Sequence, residues 1–290
     1  MCLIGALAAS CGDSAAVPPR VGVVVPDSPG TRAGALRQGF AQAADSLGLE
    51  LITVFEAADS SRETAEVDSL IAARVDALIV VPHPGGTTRS VDAANRAAIP
   101  VVTVDVRPPG GRVVAHVDGD RRQGGRMLGA YVGRRLGGGG NVVILDHPGN
   151  PAVRDGVAGI REALALHPNI RIVASPGVEE GAPTDARRRM EQLVATGQRI
   201  DAVFGPNGAA ARAALAVLHA AGRGDVLVVS LEDDGGGGGL AASTQQDATA
   251  LGRRTVEVVA AHLRGDPVPP VVLIPVTVRM RDTLAAPGAP

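Results

Sequence analysis

The chain contains no lysine: all 28 of its basic residues are arginine. Schiff-base catalysis, a pyridoxal phosphate anchor and a Walker-A phosphate clamp each need an amine, so all three are excluded. Aromatic residues are nearly as scarce, with no Trp, one Tyr (Tyr131) and three Phe (Phe40, Phe55, Phe204). A nucleic-acid or carbohydrate surface built on several stacked rings cannot be assembled from these four, most of which fall on core-facing positions. The two cysteines, Cys2 and Cys11, precede the first strand-like run. They offer no disulfide framework, zinc cluster or thiol nucleophile. A formal net charge of −2 gives no basic field for nucleic acid. Past the N-terminal stretch, no segment reaches the ~18 uninterrupted apolar residues of a membrane span.

What is present is 290 residues, 45% of them hydrophobic. That length fits two domains at roughly 150 residues each, with enough apolar residues for real cores. At the N-terminus, Leu3–Ser10 is apolar, ends in small residues and meets Cys11. It resembles the end of a bacterial lipoprotein signal, with Ala8, Ala9, Ser10 and Cys11 as the lipobox. The expectation is lipidation at Cys11 and a polar tether through residues 12–19, so that a lipid anchor alone touches the membrane.

From Val21 onward, short β-branched runs alternate with amphipathic ones. Strands are expected at Val21–Val25, Leu49–Phe55, Ala77–Val81 and Val101–Val104, and helices at Thr31–Leu47, Ser61–Ala73 and Thr87–Ala98. The pattern then restarts, with strands at Asn141–Leu145, Ile170–Ala174, Ala202–Phe204 and Val226–Leu231. Helices at Val153–Leu166, Thr184–Ala195 and Ala209–Ala221 lie between them. Val and Ile runs without polar alternation mean strands covered on both faces, hence parallel sheets with crossover helices. Two α/β doubly wound lobes are therefore expected. The last elements, Leu240–Gln245, a helix at Ala248–Leu263 and strands near Val271–Ile274 and Val276–Val278, are too few for a third domain. They complete the two lobes if the chain crosses between them more than once, which makes a hinge. The expected lobes are residues 20–119 plus 247–275 and residues 120–246 plus 276–290.

Ligands of open parallel sheets sit beyond the carboxyl ends of the strands. Those positions carry Asp27, Ser28, His83 and Asp105 in the first half, and His147–Asn150, Asn207 and Glu232–Asp234 in the second. Carboxylates, an amide and, at Arg154, a guanidinium suit a ligand rich in hydroxyls, each of which both donates and accepts. Catalysis is poorly supported. No G-x-S-x-G elbow occurs, and the six histidines lack metal spacing and read as surface or loop residues. The glycine runs 137–140 and 235–239 read as turns.

With these residues assembled, the ordered series of motifs resembles the class I periplasmic sugar-binding proteins of ABC transporters, of ribose/galactose type. The series comprises Ile99–Asp105, Val113–Asp120 followed by Gly124 and Gly125, Arg154–Gly159, Ala202–Asn207, Asp225–Glu232 and Leu240–Gln246. LacI-type effector domains share that fold. The resemblance implies a solute-binding protein without enzymatic activity, metal or cofactor. It would work as a monomer in the periplasm or on the outer face of the membrane, and hand a sugar or sugar-like ligand to an ABC permease. A sensor feeding a receptor or kinase, and a LacI-type regulator, are the alternatives. Carried over by position, Asp105 is a hydroxyl acceptor, Arg154 a ligand clamp and Asn207 an amide contact. Glu232 is the late carboxylate, and Gln246 stands at a crossover, with crossovers near Gly119, Gln246 and Pro275. The family's stacking rings would fall near Arg32, Ala33 and Gly181. Their replacement points to a smaller ligand, or to an anionic one met by Arg32 and Arg154.

Overall fold

The computed structural model describes residues 17–26, 31–56, 60–82, 87–232 and 238–281. Cys11, Asp27, Ser28, His83, Asp233, Asp234 and Gly235–Gly237 lie outside the described residues. The first half runs β1 (Arg20–Pro26), α1 (Thr31–Leu47), β2 (Glu50–Glu56), α2 (Ser60–Ala72), β3 (Ala77–Val80), α3 (Thr87–Arg96), β4 (Val101–Val104) and β5 (Ala115–Gly119). Then come α4 (Arg121–Arg135), β6 (Gly139–Ile144), α5 (Pro151–Leu164), β7 (Asn169–Ala174), α6 (Pro183–Ala195), β8 (Ala202–Gly205), α7 (Gly208–Ala220), β9 (Leu227–Ser230) and β10 (Ala242–Gln245). The chain finishes with α8 (Ala248–Leu263), β11 (Val271–Ile274) and β12 (Thr277–Met280).

Two six-stranded sheets result, ordered β11-β5-β4-β3-β1-β2 and β12-β10-β9-β8-β6-β7. The order is the same in both once the second half is renumbered from β6. Ladders are parallel except β10–β12, which is antiparallel. In β1 the side chains divide by parity. Val21, Val23 and Val25 pack with Leu36 and Phe40 of α1 and Leu251 and Val259 of α8. Val24 joins Leu70 of α2 and Val91 of α3 on the opposite face. Burial on both faces is what makes the run uniformly apolar. The second sheet repeats this, with α6 and α7 on one face and α4 and α5 on the other.

Helix starts are fixed by side-chain caps. Asp120 accepts from the Gln123 N–H of α4, Asn150 from Ala152 of α5, Asn207 from Ala210 of α7 and Asp247 from Ala250 of α8. Four departures from the sequence reading stand out, the first being strand β5, which lies within the Val113–Asp120 motif but not among the expected strands. Helix α4 was not expected; Gly124, Gly125, Gly129 and Gly133 disguise it, because glycine is a poor helix former. Strand β6 begins inside the supposed glycine turn, at Gly139. His116 is not a surface residue: it lies in β5, only 4% exposed, with Nδ1 3.0 Å from the Thr103 hydroxyl.

The chain passes between the sheets at β5–α4, β10–α8 and β11–β12. The three passages meet around Gly119, where an added Cβ would stand 2.6 Å from Gln246 Nε2 and 2.9 Å from Val276 Cγ1. A hydrogen bond from Val276 N–H to Gln123 Oε1 (3.3 Å) ties the third passage to α4.

Candidate functional site

A cleft of about 950 Å³ opens at the carboxyl ends of both sheets. Asp105, His116 and Asp118 line it from the first sheet, His147, Arg154 and Glu232 from the second, and Arg121 from the start of α4. Topology brings most of them there: all but His116, which lies near the start of β5, follow or end a parallel strand or fall in the first turn of the helix after it.

Asp105 sits directly after β4 with φ of 71°. This left-handed conformation is unusual outside glycine and is tolerated best by Asp and Asn. It is held by a bond from the Asp105 N–H to Val117 O at 3.0 Å. The Asp105 Oδ1 accepts from Arg32 Nη2 at 2.7 Å and from Arg121 Nη2 at 3.0 Å. Arg121, whose side chain is 13% exposed, also places Nε 3.4 Å from Asp118 Oδ1 and Nη1 3.2 Å from Glu232 Oε2. One guanidinium thus joins three carboxylates drawn from both sheets. Gln246 completes the set: its Oε1 accepts from Arg32 (2.7 Å) and its Nε2 donates to Asp118 Oδ1 (3.4 Å).

The electrostatics follow from burial and pairing. Burial pushes the Asp105 carboxyl up, but Arg32 and Arg121 outweigh it and hold the group below the usual aspartate range. Asp118 goes the other way: burial pushes it up to about 6 despite Arg121, with Asp105 adding to the rise. His116 is lowered to about 4, first by burial and then by Arg107. Burial works against the charge on Arg121, and Glu232, Asp118 and Asp105 reverse that, leaving its pKa above the ordinary arginine value.

Of the residues singled out from the sequence, Asp105, Arg32, Glu232 and Gln246 belong to this one network. Arg154 lines the same cleft but stands apart from the network, exposed, with its Nη1 3.3 Å from Pro148 O. Asn207, at the end of β8, is engaged locally. Its Oδ1 caps α7 and its Nδ2 donates to Gly181 O at 3.1 Å. Asp27 lies outside the described residues. Arg121 and Asp118 escaped the sequence reading. The signal for Arg121 was its position, the first residue after a strand-end acid at a crossover, where buried carboxylates need a counter-charge. Arg32 is bonded to Asp105 and Gln246, whereas the Arg154 side chain is bonded to Pro148 O.

The model of the periplasmic binding protein domain family matches residues 21–267. The chain belongs to that family. Among curated relatives of this periplasmic binding protein is the ribose import binding protein of Salmonella typhimurium. It is 29% identical over 241 residues, covering 80% of this chain and 81% of the relative. The xylitol-binding protein of Mycolicibacterium smegmatis is 30% identical over 262 residues, covering 89% and 74%. A solved ABC transporter solute-binding protein from Mycobacterium smegmatis, with bound glycerol, has a TM-score of 0.70 at 26% identity and covers 90% and 93%. The arabinose-binding protein of Geobacillus stearothermophilus superposes with a TM-score of 0.79 at 17% identity, covering 91% and 97%, and shares the fold. The two-lobed parallel architecture and the solute-binding character read from the sequence therefore hold for this periplasmic binding protein.

Proposed function

We propose that this protein captures a small sugar or polyol in the cleft between its sheets and delivers it to an ABC permease. The observation that carries this is the convergence of Asp105 and Asp118 from one sheet and Glu232 from the other on a single cleft. Carboxylates with unengaged oxygens are hydrogen-bond acceptors, and hydroxyl groups are their natural donors. The relatives' ligands, ribose, xylitol and glycerol, are neutral and hydroxylated, which supports the same class here. The ligand contacts in this reading are Asp27, Arg32, Asp105, Arg154, Asn207, Glu232 and Gln246, with Arg32 and Gln246 acting from behind Asp105. The lobes are residues 20–119 with 247–275 and residues 120–246 with 276–290, a division supported by the sheet each strand joins. Cys11 carries a lipid that holds a monomeric protein at the outer face of the membrane, with residues 12–19 as tether.

The test is a thermal-shift panel of D-ribose, L-arabinose, xylitol, myo-inositol and glycerol. A ligand binding the native state at a hundredfold excess over its dissociation constant stabilises by ~2.7 kcal/mol, a shift of several degrees. A shift with at least one neutral compound is expected; no shift with any of them rejects the reading.

A further inference from the structure

The hydrogen bonds of the two aspartates with described residues, and the closest approach of each ion pair made by the three cleft carboxylates, fall on one oxygen each. Asp105 uses Oδ1, towards Arg32 and Arg121. Asp118 uses Oδ1, towards Arg121, Gln246 and the Gly119 N–H. Glu232 uses Oε2, towards Arg121. The second oxygens, Oδ2, Oδ2 and Oε1, are left to the cleft that all three residues line. None of the three is a buried atom lacking a partner. Arg121 is the one side chain common to all three carboxylates. It is anchored at the first turn of α4, beside the point where the chain leaves the first sheet.

We propose that Arg121 is the positioning residue of this site. By holding one oxygen of each carboxylate it aims the other three as a triad of acceptors, which selects ligands presenting adjacent hydroxyl donors. This rests on the solute-binding reading and adds a condition to it: an ionised carboxylate is the stronger acceptor, and protonation turns one of its oxygens into a donor. Between the two aspartates, Asp118 is protonated before Asp105 on acidification, because burial raises the one while Arg32 and Arg121 lower the other. The charged and titratable groups around it are Arg121 on α4, Asp105 after β4, and His116 and Asp120 at the two ends of its own segment. Glu232 and Arg32 lie beyond Arg121 and Asp105, while β11 sets the uncharged Leu273 opposite Asp118. Burial puts the Asp118 titration at about 6, with Arg121 pulling it down. His116, lowered to about 4, stays neutral from pH 7.5 to 5. A bound hydroxyl donor therefore loses an acceptor as pH falls through about 6. Removing the Arg121 charge moves that midpoint upward.

The experiment pairs calorimetric titration of xylitol and D-ribose between pH 7.5 and 5 with carbon-detected NMR titration of the Asp118 carboxyl in the ligand-free protein. Both are run on the wild type and on Arg121→Gln. The expected results are binding that weakens on acidification in the wild type, about tenfold weaker binding in the variant at pH 7.5, and a higher Asp118 midpoint in the variant. A guanidinium not paired with Asp118 in solution would leave that midpoint unmoved when it is removed. An unmoved NMR midpoint therefore overturns the proposal whether or not either probe binds. A wild-type affinity that is flat from pH 7.5 to 5 overturns it as well. Absence of binding by both probes, together with a raised midpoint, counts against the sugar and polyol reading while upholding the role of Arg121. If Arg121→Gln does not unfold cooperatively, Arg121→Lys carries the test. A single ammonium keeps the charge but cannot reach three carboxylates, so a wild-type affinity in that variant overturns the proposal.

Discussion

At the scale of single residues, the cleft holds side chains bonded to one another and side chains that stand free of that network. Arg32, Asp118, Arg121 and Gln246 are bonded to one another, so their removal disturbs the cleft wall whatever the ligand. Arg154 is different. It is exposed, and among the described residues its side chain makes one hydrogen bond, at a long 3.3 Å to Pro148 O, with no carboxylate in ion-pair distance. Arg154→Ala is therefore expected to leave the unfolding midpoint unchanged and to weaken ligand binding about tenfold by calorimetry, the worth of one charge-assisted hydrogen bond in a closed cleft. Unchanged affinity would remove Arg154 from the site. The same division explains what the sequence disclosed. Asp105, Arg154 and Glu232 are legible because strand ends and motif order announce them. Arg121 and Asp118 are not, because their importance lies in the pairing of charges from separate sheets, and one-dimensional spacing carries no record of that. Nor does the resemblance in motifs reveal that Arg32 is bonded inward.

At the scale of elements, most strands and helices follow directly from hydrophobic period and caps, with α1, β4, α8 and β11 at the expected residues. Strand β5 and helix α4 are the exceptions, and for α4 packing supplies the reason. A Cβ on Gly125 would stand 2.0 Å from Gly156 O of α5, and one on Gly159 would stand 2.1 Å from Arg122 O of α4. The pairing of α1 with α8 repeats the device: Gly39 would meet Thr249 O at 2.1 Å and Gly252 would meet Leu36 O at 2.3 Å. In each lobe a helix entered from a crossover thus lies backbone to backbone against the helix following the lobe's first strand. The glycines that allow this approach also weaken the helical signal read from the sequence. Two substitutions of the same kind should consequently act in opposite directions. Gly125→Ala is expected to destabilise by about 1–3 kcal/mol, because backbone atoms must move apart. Gly34→Ala, in α1 with nothing within 4 Å of the new methyl, is expected to stabilise by about 0.5–1 kcal/mol. Urea denaturation midpoints check both; equal signs would show that contact, not propensity, has been misjudged.

At the scale of the whole molecule, the two sheets are joined by three passages of chain that touch at one point, and the charged network lies beside it. Gly119 belongs to the first passage, Gln246 to the second and Val276 to the third. Gln246 is also the residue that bonds Arg32 and Asp118, so the junction and the charged network share a side chain. We expect rotation of the lobes about this junction to change the distance from Arg121, at the start of α4, to Asp105 and Asp118 of the first sheet, and so to couple lobe orientation to acceptor geometry. Gly119→Ala tests the coupling. Its methyl would meet Gln246 Nε2 at 2.6 Å, the far end of a flexible side chain, and Val276 Cγ1 at 2.9 Å, so the fold accommodates it by displacing Gln246. Apparent affinity scales with the fraction of molecules in the binding-competent arrangement, and a tenfold loss corresponds to about 1.4 kcal/mol against that arrangement. The expected outcome is a loss of about that size for whichever sugar or polyol binds the wild type, together with a larger radius of gyration in ligand-saturated small-angle scattering. Wild-type affinity in Gly119→Ala would separate the junction from the site and leave the charged network to act without the hinge.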